Sequence, residues 1–290
     1  MASRALFWLS RSPYLPEVQL SRGLLPSSGS VAADHDVGVV EPVTPRKARV
    51  LTLCAVVVAV LACYGPFLNR GFTSEDFLLI RFLSEHPPWR DFWKSLGQPW
   101  LGIAGILFFR PVSTLLYGAE ISLFGTQAPA YNAVHVLVHT LNALTLAMIA
   151  RRFCGFGAAL GAGLLFALYP LHPNAVLFTA SFATLFAAGF LLQAFACYLR
   201  WRRDGGRVAW ILAVGLFVLA LGSYEVAVIL PVWLVAYEHL LGDAGQSHAR
   251  RAYGYVPFLG VLGLYLGYRR WILGAIIGGY QGLSDQLLRF

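Results

Sequence analysis

Residues 151–203 read RRFCGFGAALGAGLLFALYPLHPNAVLFTASFATLFAAGFLLQAFACYLRWRR. Arginines close both ends, two long apolar runs lie inside, and the turn Tyr169-Pro170-Leu171-His172-Pro173 stands between them. Uncharged runs of this kind are what a bilayer core about 30 Å thick demands of a crossing helix. The basic ends place both termini of this hairpin on the cytoplasmic side and the proline-rich turn on the other side. The stretch therefore predicts an integral membrane protein and orients its neighbours.

Composition agrees. Of the 290 residues 58% are hydrophobic and 12% charged, and the mean hydropathy is +0.64, which excludes an ordinary soluble domain. A net charge of +8 would point a soluble chain toward nucleic acid. Here the cations gather in short loops between apolar segments, where they act as topology signals, and nucleic acid is excluded as a partner. Cys54, Cys63, Cys154 and Cys197 form neither a disulfide framework nor a metal pair and are expected to be small apolar packing residues.

Outward from the hairpin, about seven transmembrane helices can be read on the length criterion. Residues 1–49, polar and rich in Ser and Pro, read as a disordered cytoplasmic tail, and 50–290 as the membrane domain. The first span, about 50–68, begins behind Arg46, Lys47 and Arg49, which keeps the N-terminus cytoplasmic. The second is about 129–150, the third about 156–170 and the fourth about 174–199. The fifth, about 208–222, the sixth, about 226–241, and the seventh, about 254–268, complete an all-α membrane fold. Gly157, Gly161 and Gly163 give the third span a small-residue face suited to close helix packing.

The segment of about 69–128 reads as a helical loop on the outer face. Ser74 can cap a helix that begins with Glu75 and Asp76, and Pro88 opens a second whose Trp89, Phe92 and Trp93 alternate with charges. Pro111 opens a third over about 111–124. These short helices suit the headgroup layer.

Alternating the spans brings a set of polar residues to one membrane face. Charged groups are costly there, so their convergence marks a candidate site. Glu75 and Asp76 follow the first span; they serve either as a general base or metal ligand, or as acids that complement a helix dipole. Arg110 precedes Pro111 and can hold a phosphate with two hydrogen bonds or snorkel to headgroups. His172 stands at the outer turn, and Glu225, beside Tyr224, sits at the outer end of the fifth span with no cation near it in sequence. His135, His139 and Asn142 share one side of the second span, where hydrogen bonding between helices is expected.

Four stretches together carry a resemblance. Residues 69–80, NRGFTSEDFLLI, and 109–125, FRPVSTLLYGAEISLFG, with the helix 131–152, are two of them. The others are 164–176, LLFALYPLHPNAV, and 221–238, LGSYEVAVILPVWLVAYE. In order and spacing the chain resembles GT-C membrane glycosyltransferases, in particular bacterial relatives of the transmembrane-and-TPR O-mannosyltransferases and the protein O-mannosyltransferases, over about 65–275. Against that pattern, Tyr169 stands where the family has the first His of its outer turn, and Tyr224 where it has a Lys.

The resemblance implies a GT-C-like catalytic module that uses a lipid-linked sugar donor, a polyprenyl-phosphate sugar, at the outer membrane face. Asp76, assisted by Glu75, would activate or orient the acceptor, which is a protein, a glycan or a lipid. Arg110, with Arg269 and Arg270, would face the donor phosphate; His172, Glu225 and His139 would support. A divalent metal ion is a conceivable cofactor, with Glu75, Asp76 and His172 as its ligands. The expected location is a bacterial inner membrane, or the ER membrane in a eukaryote, among membrane lipids. The alternative is a non-catalytic membrane subunit or a truncated, degenerate GT-C fragment.

Overall fold

The computed structural model describes residues 44–73, 75–86, 88–102, 106–242 and 247–279, apart from the side chains of 88–91 and 250. Among these residues there is no strand. Helix α1, Pro45–Tyr64, starts with Pro at its first turn, and the Thr44 side chain accepts from the Lys47 N–H at 3.4 Å. The outer segment then forms α2 (Glu75–Glu85), α3 (Pro88–Leu96) and α4 (Pro111–Phe124), with the expected starts. The Ser74 cap and residues 1–43 of the expected tail lie outside the described residues.

Next come α5 (Ala128–Cys154) and α6 (Phe156–Leu168), then the short α7 (His172–Leu177) and a 3₁₀ turn, Thr179–Ser181. Helix α8 (Phe182–Asp204) stops at Gly205, whose φ of 72° is the left-handed conformation that a terminating glycine adopts without a Cβ clash. Helix α9 (Arg207–Ser223) leads through a 3₁₀ turn, Glu225–Ile229, to α10 (Leu230–Ala236) and a π turn, Tyr237–Leu241. The last helix, α11, is His248–Leu273.

Three stretches are long and apolar enough to cross a membrane: Pro45–Phe67, Ala128–Cys154 and Thr179–Asp204. Helices α6 and α9 are apolar but shorter. Helix α11 has 26 residues, yet its tyrosines and glycines dilute the apolar run between Arg251 and Arg269. Two expected spans take a different form. The fourth was read as one run of about 174–199, a length fit for a crossing. It is broken at Phe178, whose backbone is extended (φ −108°, ψ 119°), so α7 and the 3₁₀ turn stand apart from α8. The sixth is divided among a 3₁₀ turn, α10 and a π turn.

The helices run back and forth between two ends of a bundle, and contacts far apart in sequence identify the ends. At one end the Asn132 amide donates to Leu68 O and Arg70 O, the Tyr268 hydroxyl to Leu96 O, and the Ala180 N–H to Asp76. At the other, Arg151 donates to Pro45 O, Arg152 to Leu199 O, and Arg202 to Glu238. These contacts place Leu68, Asn132, Ala180 and Tyr268 at one end and Pro45, Arg151, Leu199 and Glu238 at the other.

Between the ends the core is aliphatic and aromatic. One cluster joins Leu191, Tyr198, Phe217, Leu230, Leu234 and Phe258 across α8 to α11. Another joins Val56, Val60, Val136, Ala143, Ala167 and Val176 across α1 and α5 to α7. The periphery is apolar too: Val58 is 64% exposed, Leu165 74% and Leu264 78%, a surface that suits lipid rather than water. With three long apolar helices this makes the protein membrane-associated. Cys54, Cys63 and Cys154 belong to this periphery and are exposed, rather than packed inside as the sequence suggested.

Of the small-residue face on α6, only Gly163 is used tightly. A Cβ there would lie 2.8 Å from Val56 Cγ2 and 3.1 Å from Ala147 Cβ, whereas Gly157 and Gly161 face open space. Gly163→Val is therefore expected to destabilise the bundle by about 1–3 kcal/mol, the usual cost of overpacking, while Gly161→Val stays close to neutral. Thermal unfolding of the two variants in detergent compares them directly.

Candidate functional site

At the first end, α2 begins with two acids, and helical geometry lets only one point inward, because neighbours are turned about 100° apart. Asp76 is that one, 2% exposed, while Glu75 is exposed. Asp76 Oδ1 accepts from the Ala180 N–H at 2.9 Å, and Oδ2 from the Thr73 N–H at 3.2 Å and hydroxyl at 3.4 Å. The carboxylate thus fastens α2 to the 3₁₀ turn before α8. The Ala180 carbonyl, in the next peptide group, accepts from the Tyr117 hydroxyl at 2.9 Å. Burial pushes the Tyr117 phenol up, so it stays protonated as a donor.

Arg110 sits at the N-cap position of α4 and is 8% exposed. Its Nε and Nη2 donate to Glu225 Oε2 at 3.0 and 2.7 Å. Phe108, Tyr224 and Trp100 rings lie 4.1, 4.2 and 5.3 Å from its guanidinium carbon, so aromatic faces surround the charge. Arg269, 2% exposed on α11, brings Nη1 to 3.7 Å from Glu225 Oε1 and donates from Nη2 to Leu107 O at 2.9 Å. Glu225, for which the sequence offered no nearby cation, is paired with one residue 115 positions away and with a second on another helix.

Two buried guanidiniums therefore share one carboxylate. Among the described residues, Glu225 Oε1, Arg269 Nε and Trp100 Nε1 are buried without a hydrogen-bond partner. A buried excess of positive charge with unmet donors is costly unless an anion completes it. A cavity of about 130 Å³ among α2, α3 and α4 is lined by His86, Lys94, Ser95, Gln98 and Thr114 with Phe82, Leu83 and Leu101, and not by Arg110, Arg269 or Glu225 themselves. Thr114 bonds the Arg110 carbonyl at 3.2 Å, one turn along α4. Trp100 connects this group to the Asp76 group: it lies under Arg110 and 6.5 Å from the Tyr117 ring.

Other residues singled out from the sequence go elsewhere. Arg270 is exposed and donates to Gly274 O on its own turn, away from Arg110 and Glu225, because it is turned about 100° from Arg269 on the helix. His172 meets Phe166 O through Nδ1 at 2.8 Å and packs edge-on against Tyr169 and His139 and tilted against Phe166. His139 contacts Ala167 O through Nε2 at 3.2 Å, and the Asn142 amide donates to Leu185 O at 2.9 Å, so both join helices as expected. Glu75, Asp76 and His172 are not gathered as metal ligands: one is exposed and the others have separate partners. Among the described residues no three His, Cys, Asp or Glu side chains form a metal-binding group.

Two buried ionic groups were missed in the sequence. Glu120, on α4, meets His135 Nε2 through Oε1 at 3.1 Å; they are 5% and 0% exposed. Burial raises the Glu120 carboxyl above the usual carboxylate range, with His135 acting in the opposite sense. At the far end of the bundle, Glu238 in the π turn is 0% exposed. It is held by Arg202 Nε at 2.7 Å and Nη2 at 2.9 Å, and accepts from the Tyr198 hydroxyl at 2.6 Å. An acid near the middle of an apolar run is the signal that could have found both.

The chain is similar to named protein O-mannosyl-transferases of animals. It is 25% identical over 177 residues to TMTC3 of Homo sapiens, covering 58% of this chain and 19% of that protein. It is 27% identical over 215 residues to Tmtc2 of Drosophila melanogaster (69% and 23%), and 30% over 149 residues to TMTC1 of Mus musculus (48% and 16%). The matches thus span about a fifth of the length of these relatives, and the relationship is one of distant homology. The bacterial framing of the resemblance finds no counterpart among these animal relatives. No protein-family model matches the chain. No solved structure matches it.

Proposed function

We propose that this chain is the membrane module of a GT-C glycosyltransferase that moves a sugar, mannose by the names of its relatives, from a polyprenyl-phosphate carrier to an acceptor hydroxyl. The observation that carries the reading is the pair of buried arginines, Arg110 and Arg269, sharing the single carboxylate of Glu225 beside the Asp76 group. A lipid phosphate is an anion of the right kind to complete that balance, and guanidinium is the side chain best shaped to hold it.

In the proposed reaction the acceptor oxygen attacks the anomeric carbon while Asp76 takes the hydroxyl proton. The bond from that carbon to the phosphate oxygen breaks, its electron pair leaves with the polyprenyl phosphate, and the anomeric centre inverts. Arg110 and Arg269 offset the charge that develops on the leaving phosphate. The proposed setting is about seven crossings, with the shorter helices α6 and α9 as full members, the N-terminus in the cytoplasm and the Asp76 end on the opposite side.

The test is transfer from polyprenyl-phosphate mannose to hydroxyl-bearing peptides by the purified protein in detergent. Arg110→Gln is expected to lower kcat about 10²- to 10³-fold, the range for removing one charge-stabilising donor, and to weaken retention of the polyprenyl phosphate. Unchanged transfer by that variant would overturn the role of Arg110. The second reading, a non-catalytic subunit, is favoured by one observation: both Asp76 oxygens already accept hydrogen bonds, as in a purely structural fastening. A wild-type protein with no transfer to any acceptor, but with normal stability, would decide for it.

A further inference from the structure

The Glu120–His135 pair has no place in the reaction above, yet it is built against the turn that holds Asp76. Tyr117 and Glu120 lie three residues apart on α4, so both face α5 and the start of α8. The His135 ring stacks on Phe182, with ring centres 4.6 Å apart and planes at 17°. Phe182 is fully buried and meets the Tyr117 ring edge-on at 5.1 Å. Two residues before Phe182 is Ala180, whose carbonyl takes the Tyr117 hydroxyl and whose N–H holds Asp76 Oδ1. The turn is therefore fixed at two points, by Tyr117 at its peptide and by the His135 ring just after it.

The pair is an expensive way to hold a ring. Glu120 Oε2 and His135 Nδ1 are both buried without a hydrogen-bond partner among the described residues. An aliphatic contact would avoid that cost, so the retained polar pair marks a need for one ring orientation. Glu120 supplies it, because a hydrogen bond from a fixed carboxyl sets the rotation of an imidazole where packing alone leaves alternatives.

We propose that Glu120 and His135 are positioning residues for Asp76: Glu120 orients the His135 ring, the ring seats Phe182, and the seated turn aims the Ala180 N–H that holds the Asp76 carboxylate. This rests on the transferase reading. It assigns no contact with donor or acceptor to either residue. Their loss should therefore slow the chemical step without weakening donor binding.

The experiment measures kcat and the donor KM separately, with polyprenyl-phosphate mannose, for the full-length protein and for Glu120→Ala, Glu120→Gln, His135→Ala, Phe182→Leu and Glu120→Ala/His135→Ala. Glu120→Ala and His135→Ala are expected to lower kcat about 10- to 100-fold, the range seen when a partner that orients a functional ligand is removed, with KM unchanged. Glu120→Gln, which still offers a hydrogen bond to the ring, should recover most of the loss. The double variant should be no slower than the slower single one, because both act through one ring. Phe182→Leu removes the stacking without touching either polar group, so it keeps the test open should the alanine variants fail to fold; it should show the same kcat loss. A normal kcat in folded His135→Ala or Phe182→Leu overturns the proposal, as does a rise in KM with kcat unchanged. If the wild-type protein shows no transfer, the transferase reading has failed; if Arg110→Gln and Asp76→Asn lose transfer and the pair does not, only the positioning role has.

Discussion

Glu238→Ala is expected to cost about 3–5 kcal/mol of stability, because it leaves the Arg202 guanidinium in the interior without its carboxylate. The side chains of Arg202 and Glu238 are 10% and 0% exposed, so water can replace little of what is lost. The Tyr198 hydroxyl loses its acceptor at the same time. Gly254 passes so close to that hydroxyl that a Cβ would overlap it, so α11 is seated directly on this group. The effect should therefore spread to the packing of α11 against α8. Thermal unfolding in detergent measures the loss, and Glu238→Gln, which keeps the shape and one acceptor, should lose distinctly less. An alanine variant as stable as the wild type would show that the group does not hold the helices together.

For Asp76→Asn the expected change is in transfer. Under the proposed mechanism asparagine cannot take the acceptor proton, and the loss should reach about 10²- to 10⁴-fold in kcat, the range carried by a positioned general base. Asparagine retains one oxygen that can accept from the Ala180 N–H, but its amide nitrogen cannot accept from Thr73, so a modest drop in stability should accompany the loss of activity. Glu75→Gln supplies the comparison: it alters the adjacent, exposed acid and should leave kcat within a few-fold. Full transfer by Asp76→Asn would remove Asp76 from the reaction and leave it as the fastening between α2 and the 179–181 turn.

The sequence made some of this legible and concealed the rest. Helix starts at Glu75, Pro88 and Pro111 could be read because Pro and acidic first turns are local signals. The break at Phe178 could not: Ala175 to Ala180 are as apolar or small in a turn as in a helix, so the run looked continuous. Asp76, Arg110 and Glu225 were each picked out by type and place. Their convergence on one face was read from alternation, but the pairing of Arg110 with Glu225 was not, since it spans 115 residues and depends on the packing of α9 against α4. Glu120 escaped notice because its partner is on the next helix, 15 residues on, and Glu238 because its cation is on α8. Arg269 and Arg270 look equivalent as neighbours in a sequence; the helix turns one inward and the other out.

The exposed Cys154 closes α5 at the Glu238 end, and Cys63 stands in the last turn of α1 at the other. Cys63, like Cys54, lies within the first apolar stretch and faces lipid, whereas Cys154 follows Arg151 and Arg152 at the end of its helix and is the chemical reporter of that end. A maleimide too polar to pass a bilayer distinguishes reagent added outside sealed vesicles from reagent added after they are opened. The Glu238 end can therefore be assigned to its compartment by modification of Cys154 in the native sequence, with no tag and no introduced residue, and the opposite end follows from it.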